Sequence, residues 1–233
     1  MPETFSQVLA LPGLELLVFA AVLSGMVRGF SGFGTAMIFL PFAAQVVPPI
    51  WAILALIGMD MFGPIPVLRR AAKDADWRDL KLLIITAGLG APLGVWLLTI
   101  ISPESYRYII CSISLVLVVL LLSGLRYPGK PTPRAVMGAG ALAGTSGGLS
   151  GIPGPPIILL YMASAVSVST VRANIMLFLF AFEFVLIGLY WASGQASFWP
   201  FVLGVVLAVP NGLGTASTTP KTNGQNDACP DAQ

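Results

Sequence analysis

Long runs of apolar residues dominate the chain, and short polar or glycine-rich segments separate them. Five runs match a membrane-spanning helix, which needs about 20 apolar residues with a range of roughly 17–25; they cover 8–27, 49–68, 80–101, 106–122 and 170–191. Shorter runs cover 35–47, 135–145, 155–166 and 198–213. No run alternates apolar and polar residues with a period of two, and backbone groups in lipid must be satisfied within their own segment. The pattern therefore predicts helices.

Composition narrows the class of protein. Of the 233 residues, 56% are apolar and 9% are charged, whereas a soluble domain has about 25% charged residues. These values exclude a cytosolic enzyme, a nucleic-acid binder and a disordered chain, and they indicate an integral membrane protein embedded in a lipid bilayer. The sequence has no histidine and two distant cysteines. Because histidine is the commonest metal ligand and general base, we expect no metal site and no enzymatic activity. The first run follows Glu3 and precedes Arg28, which favours a retained helix over a cleaved signal peptide.

The most informative feature is an internal repeat. At an offset of 119 residues, the segment 23–40 aligns with the segment 142–159. Seven of the 18 aligned pairs are identical: Leu23/Leu142, Gly25/Gly144, Gly29/Gly148, Ser31/Ser150, Gly32/Gly151, Ile38/Ile157 and Leu40/Leu159. Glycine-rich stretches can match by chance, but here a serine and several aliphatic residues match as well.

The repeat predicts the architecture. Five apolar runs lie between the two glycine motifs, and if all five cross the membrane, the second motif is inverted relative to the first. Inverted repeats with interrupted helices are typical of secondary transporters. We therefore predict an all-α polytopic membrane protein with about eight to nine transmembrane or half-membrane helices in two inverted repeats, with glycine-rich breaks at the repeat interface. Residues 1–123 form the first half, residues 124–214 form an incomplete second half, and residues 215–233 form a polar tail predicted to be disordered.

The tail departs from the repeat. After Gly214 the repeat predicts the end of a helix and then another apolar run, but the sequence there is polar. This difference suggests a frameshifted or truncated product, in which a missing last helix impairs function or a partner chain completes the fold. The alternative is a natural, lineage-specific tail.

The two glycine-rich breaks are candidates for an anion site. Glycine allows an unwound backbone to turn and lets a substrate approach closely. Helices that start after the breaks, near Thr35 and Pro155, would direct their N-terminal amides at the same cavity. The alternative is that the glycines serve tight helix packing. We prefer packing for Gly90–Gly94 and Gly140–Gly144, and a site for the two breaks.

Charged residues within membrane spans are costly and are therefore functional candidates. Arg28 lies at the first break, where it could neutralise an anionic substrate or extend to the lipid headgroups. Arg172, near the start of the run 170–191, could bind substrate, although an interfacial anchor is the preferred interpretation. Asp60 and Glu183 lie near the middle of their runs. They could carry protons for coupled transport, or they could be buried structural carboxylates that bond to a neighbouring helix or pair with an arginine.

The two motifs resemble those of a known family. Gly29-Phe-Ser-Gly-Phe-Gly-Thr35 with Phe39-Leu-Pro41, and Gly147-Gly-Leu-Ser-Gly-Ile-Pro-Gly-Pro-Pro156, resemble the paired signatures of the TauE/SafE sulfite-exporter family. Ser169-Thr-Val-Arg-Ala173 resembles the start of the helix that follows in that family. The resemblance covers about residues 10–214. Pro153 departs from the family pattern, in which we expect glycine, and this departure leaves the identity of the substrate open.

The resemblance implies a multi-pass permease of the bacterial inner membrane that moves small sulfur-containing anions such as sulfite or sulfonates, without a cofactor. Thiosulfate is disfavoured because Cys111 is distant in sequence from both motifs. The motif positions that match the family pattern are Gly29, Ser31, Gly32, Gly34, Gly148, Ser150, Gly151 and Arg172. Together with Arg28 they are the predicted substrate-binding residues.

The predicted transporter works by rocking of its two halves about this site. Two alternatives remain open at this point: an uncoupled anion channel or facilitator, and a truncated membrane subunit that does not transport. Homo-oligomerisation also remains open, and no nucleic-acid partner is expected, since the net charge is only +2.

Overall fold

The computed structural model describes residues 12–31, 34–61, 65–122, 131–162, 166–194 and 198–218. Within these ranges all regular secondary structure is helical. The helices, in chain order, are α1 (Leu14–Ser31), α2 (Thr35–Val46), α3 (Pro49–Asp60), α4 (Ile65–Asp74), α5 (Trp77–Ile100), α6 (Pro103–Leu122), α7 (Pro133–Ser150), α8 (Gly154–Met162), α9 (Val168–Ala192) and α10 (Phe198–Thr218).

Three of the described helices are long and apolar enough to cross a membrane: Trp77–Ile100, Ser169–Ala192 and Phe198–Thr215. Their outer faces are apolar as well. On α5 the exposed side chains of Ile85, Leu89, Leu93 and Trp96 recur every three or four residues and therefore form one stripe along the helix. Such a stripe faces lipid in an integral membrane protein, and the prediction of a helical membrane protein is confirmed at this level.

Several predicted boundaries differ from the structure. The apolar run 49–68 was expected to form one spanning helix, but α3 ends at Asp60 and α4 begins at Ile65. The sequence between them contains Pro64, and proline disfavours helical backbone at the residue before it and lacks an N–H to donate. The run 135–145 corresponds to the longer helix α7, which continues to Ser150.

The two glycine breaks are also shorter than expected. The backbone is helical through Ser31 in the first motif and through Ser150 in the second. At the other end of the chain, α10 extends to Thr218, beyond the predicted start of the polar tail at residue 215. The rest of the predicted tail, residues 219–233, lies outside the described residues.

The helices pack as two bundles that do not coincide with the two halves of the sequence. Helices α1, α2, α3, α6 and α10 pack mainly on one another, and we call them the Arg28 bundle. Helices α4, α5, α7, α8 and α9 form the second group, the Glu183 bundle. Each bundle therefore combines helices from the N-terminal and C-terminal parts of the chain.

Glycines allow the closest contacts within each bundle. A Cβ atom at Gly144 on α7 would overlap the backbone of Ala87 on α5. In the Arg28 bundle, a Cβ atom at Gly25 on α1 would overlap the backbone of Asn211 on α10. Gly94 on α5 likewise lies against the backbone of α7. These contacts confirm the packing role predicted for Gly94 and Gly144, because only glycine lets the helix backbones approach so closely.

In each bundle, a buried asparagine connects neighbouring segments by hydrogen bonds. In the Glu183 bundle, Asn174 accepts a hydrogen bond from the backbone N–H of Asp76 at 2.9 Å and donates one to the Tyr161 hydroxyl at 2.7 Å. In the Arg28 bundle, Asn211 on α10 donates to the carbonyl oxygen of Ala21 on α1 at 3.1 Å. A buried amide that loses such partners costs about 1–3 kcal/mol, so these bonds hold each bundle together.

Helix boundaries recur at the spacing of the sequence repeat. Helices α1 and α7 begin at Leu14 and Pro133, which are 119 residues apart, and they end at Ser31 and Ser150 with the same spacing. The short helices that follow them, α2 and α8, begin 119 residues apart as well. Each break thus joins a long helix to a short one.

Candidate functional site

A cavity of about 230 Å³ lies where the two bundles meet. The Arg28 bundle contributes the end of α1, the start of α2, one face of α3 and Thr215 of α10. The Glu183 bundle contributes the break at Gly151, the start of α8 and one face of α9. Most of the lining side chains are apolar, so charged groups in the cavity interact in a medium of low dielectric constant.

Arg28 and Asp60 form an ion pair in the cavity wall. The Nη1 atom of Arg28, in the last turn of α1, lies 2.5 Å from Oδ1 of Asp60 at the end of α3. Both side chains are 17% exposed. The side chain of Thr35, at the start of α2, forms a further hydrogen bond with Asp60. Three helices are therefore joined at one carboxylate, and charge-assisted hydrogen bonds of this kind are stronger than neutral ones.

Glu183 lies on α9, in the opposite bundle, and lines the same cavity. Its Oε2 atom is buried and has no hydrogen-bond partner among the described residues. Glu183 is close enough to both Arg28 and Asp60 to interact with their charges. A buried polar atom without a partner is uncommon in folded proteins and often marks a functional group. The three ionisable groups thus form one cluster across the bundle interface.

The two breaks bring glycine backbone and two helix N-termini to the cavity. Gly34 has a φ of 99° and Gly151 a φ of 75°, in the left-handed region that favours glycine. Helix α2 starts immediately after Gly34, and α8 starts at Gly154. The first N–H groups of a helix lack partners within it, so the start of α2 is a place where an anion can bind. At the start of α8 Gly154 has an N–H group, but Pro153, Pro155 and Pro156 have none, so this start acts mainly through the helix dipole.

The structure brings several of the predicted site residues together. The predicted residues that line the cavity are Arg28, Gly29, Gly34, Gly151, Asp60 and Glu183. For Asp60, partnership with an arginine was one of the alternatives from the sequence, and the ion pair with Arg28 confirms that contact.

Other predicted residues lie elsewhere. Gly148 packs against the backbone of Ala91 on α5 and is not among the lining residues. Ser150 is buried, and its hydroxyl donates to the carbonyl oxygen of Ser146 at 2.7 Å within α7. Arg172 is exposed near the start of α9, outside the cavity lining. The side chain of Ser31 and the whole of Gly32 lie outside the described part of the chain.

Two tyrosines near the second break could not be identified from the sequence. The buried hydroxyl of Tyr190 on α9 donates to the carbonyl oxygen of Gly148 at 3.1 Å, and Tyr106 on α6 donates to that of Ser150 at 3.4 Å. The last carbonyl groups of a helix lack partners within it, so these hydroxyls satisfy the end of α7. The only sequence signal is a polar aromatic residue within an apolar run, which more often indicates the membrane interface.

Replacing Tyr190 by phenylalanine is expected to destabilise the protein. The change leaves the buried carbonyl of Gly148 without its partner, which costs about 1–3 kcal/mol and lowers Tm by roughly 2–4 °C per kcal/mol. Thermal unfolding of detergent-solubilised protein measures this shift. Tyr108→Phe is the matched control, because Tyr108 is exposed on α6. Equal Tm values for the two variants would contradict the capping role.

The fold and the site together define an integral membrane protein whose charged cavity lies between two interrupted helix pairs. The family model described as Sulfite exporter TauE/SafE matches residues 17–222, and the chain therefore belongs to this family. The resemblance found in the motifs is thus confirmed. Searches among curated proteins and among solved structures gave no match. Because the family consists of transporters, the chain is a transporter-type membrane protein for sulfur-containing anions and not an enzyme.

Proposed function

We propose that the protein is a secondary transporter that carries small sulfur-containing anions, such as sulfite or organosulfonates, across the cell membrane. The observation that carries this proposal is the cavity between the bundles, with the guanidinium of Arg28 in its wall and the starts of α2 and α8 at its edge. Family membership supports the class of substrate. The resemblance points to the bacterial inner membrane as the location.

The cavity has three kinds of group suited to an oxyanion. Arg28 supplies a positive charge with several N–H donors. The N-termini of α2 and α8 each contribute roughly half a positive charge. The first turn of α2 also presents free N–H groups, whereas in the first turn of α8 Gly154 is the donor, because Pro155 and Pro156 have no N–H. The side chain of Thr35, which is buried at the first position of α2, adds a hydroxyl. The glycines of the breaks leave room for the oxygen atoms of the substrate to approach the backbone.

The two bundles are the bodies expected to move in alternating access. We infer that residues 1–123 and 124–214 are inverted repeats, and the recurrence of helix boundaries at 119 residues supports this inference. Each half contributes helices to both bundles, so the moving bodies are the Arg28 bundle and the Glu183 bundle and not the halves themselves. Rocking of one bundle against the other would open the cavity first to one side of the membrane and then to the other.

The proposed function can be tested with a variant whose added side chain occupies the cavity. Gly154 lines it, has a backbone conformation open to other residues, and has only Ile158 of its own helix near the position of a Cβ atom. Gly154→Leu should therefore fold, and its side chain should compete with the substrate. We expect sulfite flux into proteoliposomes to be saturable for the wild type and to fall about tenfold in this variant, which corresponds to about 1.4 kcal/mol.

Gly138→Leu is the matched control, because Gly138 on α7 has open space around it and does not line the cavity. Its flux should equal that of the wild type. Wild-type flux that rises linearly with sulfite concentration would indicate a channel or facilitator. No flux above that of protein-free liposomes, from wild-type protein that is folded by size-exclusion chromatography, would contradict the proposed function.

A further inference from the structure

We propose that the cavity moves each monovalent anion together with one proton, and that Asp60 and Glu183 have different parts in this coupling. Asp60 takes up the coupling proton, and Glu183 stays protonated and donates a hydrogen bond to the anion. This inference rests on the proposed function, because it assumes that the anion occupies the cavity.

The charged groups around the cavity do not balance when both acids are ionised. Arg28 on α1 is the cation, and Asp60 on α3 and Glu183 on α9 are the carboxyl groups. The described lining residues on α2, α8 and α10 and at the Gly151 break are neither charged nor titratable at neutral pH. With two carboxylates and one guanidinium, the site would hold an uncompensated negative charge before any anion enters. An isolated buried charge is costly, so one acid must be neutral.

The geometry identifies Glu183 as the neutral acid. The Arg28 guanidinium contacts Asp60, and the Thr35 side chain bonds to Asp60 as well. In contrast, Oε2 of Glu183 is buried and has no hydrogen-bond partner among the described residues. The carboxylate that these partners stabilise keeps its charge, whereas the one with a buried oxygen that has no such partner takes up a proton. A protonated Glu183 has an O–H group, and an anion in the cavity can accept its hydrogen bond.

Asp60 and the substrate compete for the same cation. An anion that approaches Arg28 while Asp60 is ionised meets a like charge at close range in a medium of low dielectric constant. When Asp60 takes a proton from the aqueous phase, its carboxyl group becomes neutral and the guanidinium can pair with the anion instead. The proton and the anion therefore bind together, which produces symport and not antiport. For a monovalent anion the loaded and unloaded sites carry the same net charge, so transport is electroneutral.

The test uses methanesulfonate, whose single charge does not change with pH near neutrality. Wild-type protein in proteoliposomes is given an outside medium one pH unit more acidic than the lumen, with the membrane potential clamped by potassium and valinomycin. At one proton per anion, methanesulfonate should accumulate about tenfold inside, since the proton gradient is worth about 1.4 kcal/mol. Changing the clamped potential should leave this ratio unchanged.

Two variants separate the parts of the two acids. Asp60→Asn cannot take up a proton, so we expect the pH-driven accumulation to disappear while exchange of anion for anion continues. Glu183→Gln keeps a neutral donor in place, so the accumulation ratio should stay near tenfold while KM rises. Glu15→Gln removes an exposed acid at the start of α1 and serves as the control, with no expected change.

Each outcome decides the question. A wild-type accumulation ratio near one, accumulation that follows the membrane potential, or accumulation that survives Asp60→Asn and is lost in Glu183→Gln would overturn this inference alone. No methanesulfonate or sulfite flux from folded wild-type protein would overturn the proposed function as well. If Asp60→Asn does not fold, the accumulation ratio and the potential dependence of the wild type still test the stoichiometry.

Discussion

Replacing Arg28 by glutamine is expected to lower kcat/KM for sulfite transport by about 10- to 100-fold. The substitution removes the charge-assisted hydrogen bond that we propose Arg28 makes to the anion, and such bonds contribute roughly 1.5–3 kcal/mol. Arg28 is the cation in the described lining of the cavity, so no other side chain there can replace its charge. Initial rates of uptake into proteoliposomes, measured over a range of sulfite concentrations, provide kcat/KM.

Two further variants separate binding from folding. Arg172→Gln removes an arginine that is exposed outside the cavity lining, and its transport should stay close to that of the wild type. Removing one partner of a buried ion pair destabilises a protein by about 3–5 kcal/mol, because the other partner is left without compensation. The double variant Arg28→Gln, Asp60→Asn should therefore recover stability but not transport. Wild-type transport by Arg28→Gln would exclude this residue from the anion site.

Replacing Gly144 by leucine is expected to prevent the Glu183 bundle from forming. The position lies against the backbone of Ala87, so the two helices must separate to accommodate a side chain. Overpacking that side chains can absorb costs about 1–3 kcal/mol, and a clash between backbones cannot be relieved by a change of rotamer. We expect little or no monodisperse protein in size-exclusion chromatography after extraction into detergent.

Gly138→Leu on the same helix controls for the loss of a glycine, since its position is open. This variant should elute and unfold like the wild type. Gly25→Leu tests the same principle in the Arg28 bundle, where the position lies against the backbone of Asn211. If Gly144→Leu retained the Tm of the wild type, the close approach of α5 and α7 would not be needed for folding.

The paired breaks could be predicted from the sequence because they depend on local chemistry. Gly34 and Gly151 both adopt a positive φ, which favours glycine, and each lies in a glycine-rich stretch that is visible in the sequence. The end of α3 at Asp60 was not predicted, because the run 49–68 is apolar on both sides of it. A hydropathy profile is an average over a window of residues, so a single proline such as Pro64 barely changes it. The profile therefore does not reveal where a helix ends within an apolar run.

The charged cluster was predicted only as separate residues. Arg28 and Asp60 are 32 residues apart, and their contact depends on how α2 and α10 pack against both α1 and α3. Thr35 was recognised as a motif position but not as a partner of Asp60. Ser150 was predicted to bind the substrate. In the structure its hydroxyl donates a hydrogen bond to the carbonyl oxygen of Ser146 in the same helix. Serine commonly makes such local hydrogen bonds, and the pattern of polar and apolar residues in the sequence does not reveal them.

The contact between α1 and α10 has a consequence for biosynthesis. Asn211 and Gly214 on the last described helix complete the packing surface of the first, so the Arg28 bundle cannot close until the ribosome has delivered α10. All five helices of the Glu183 bundle emerge earlier. The first helix to be synthesised therefore stays without its final neighbour until every helix of the other bundle has been made.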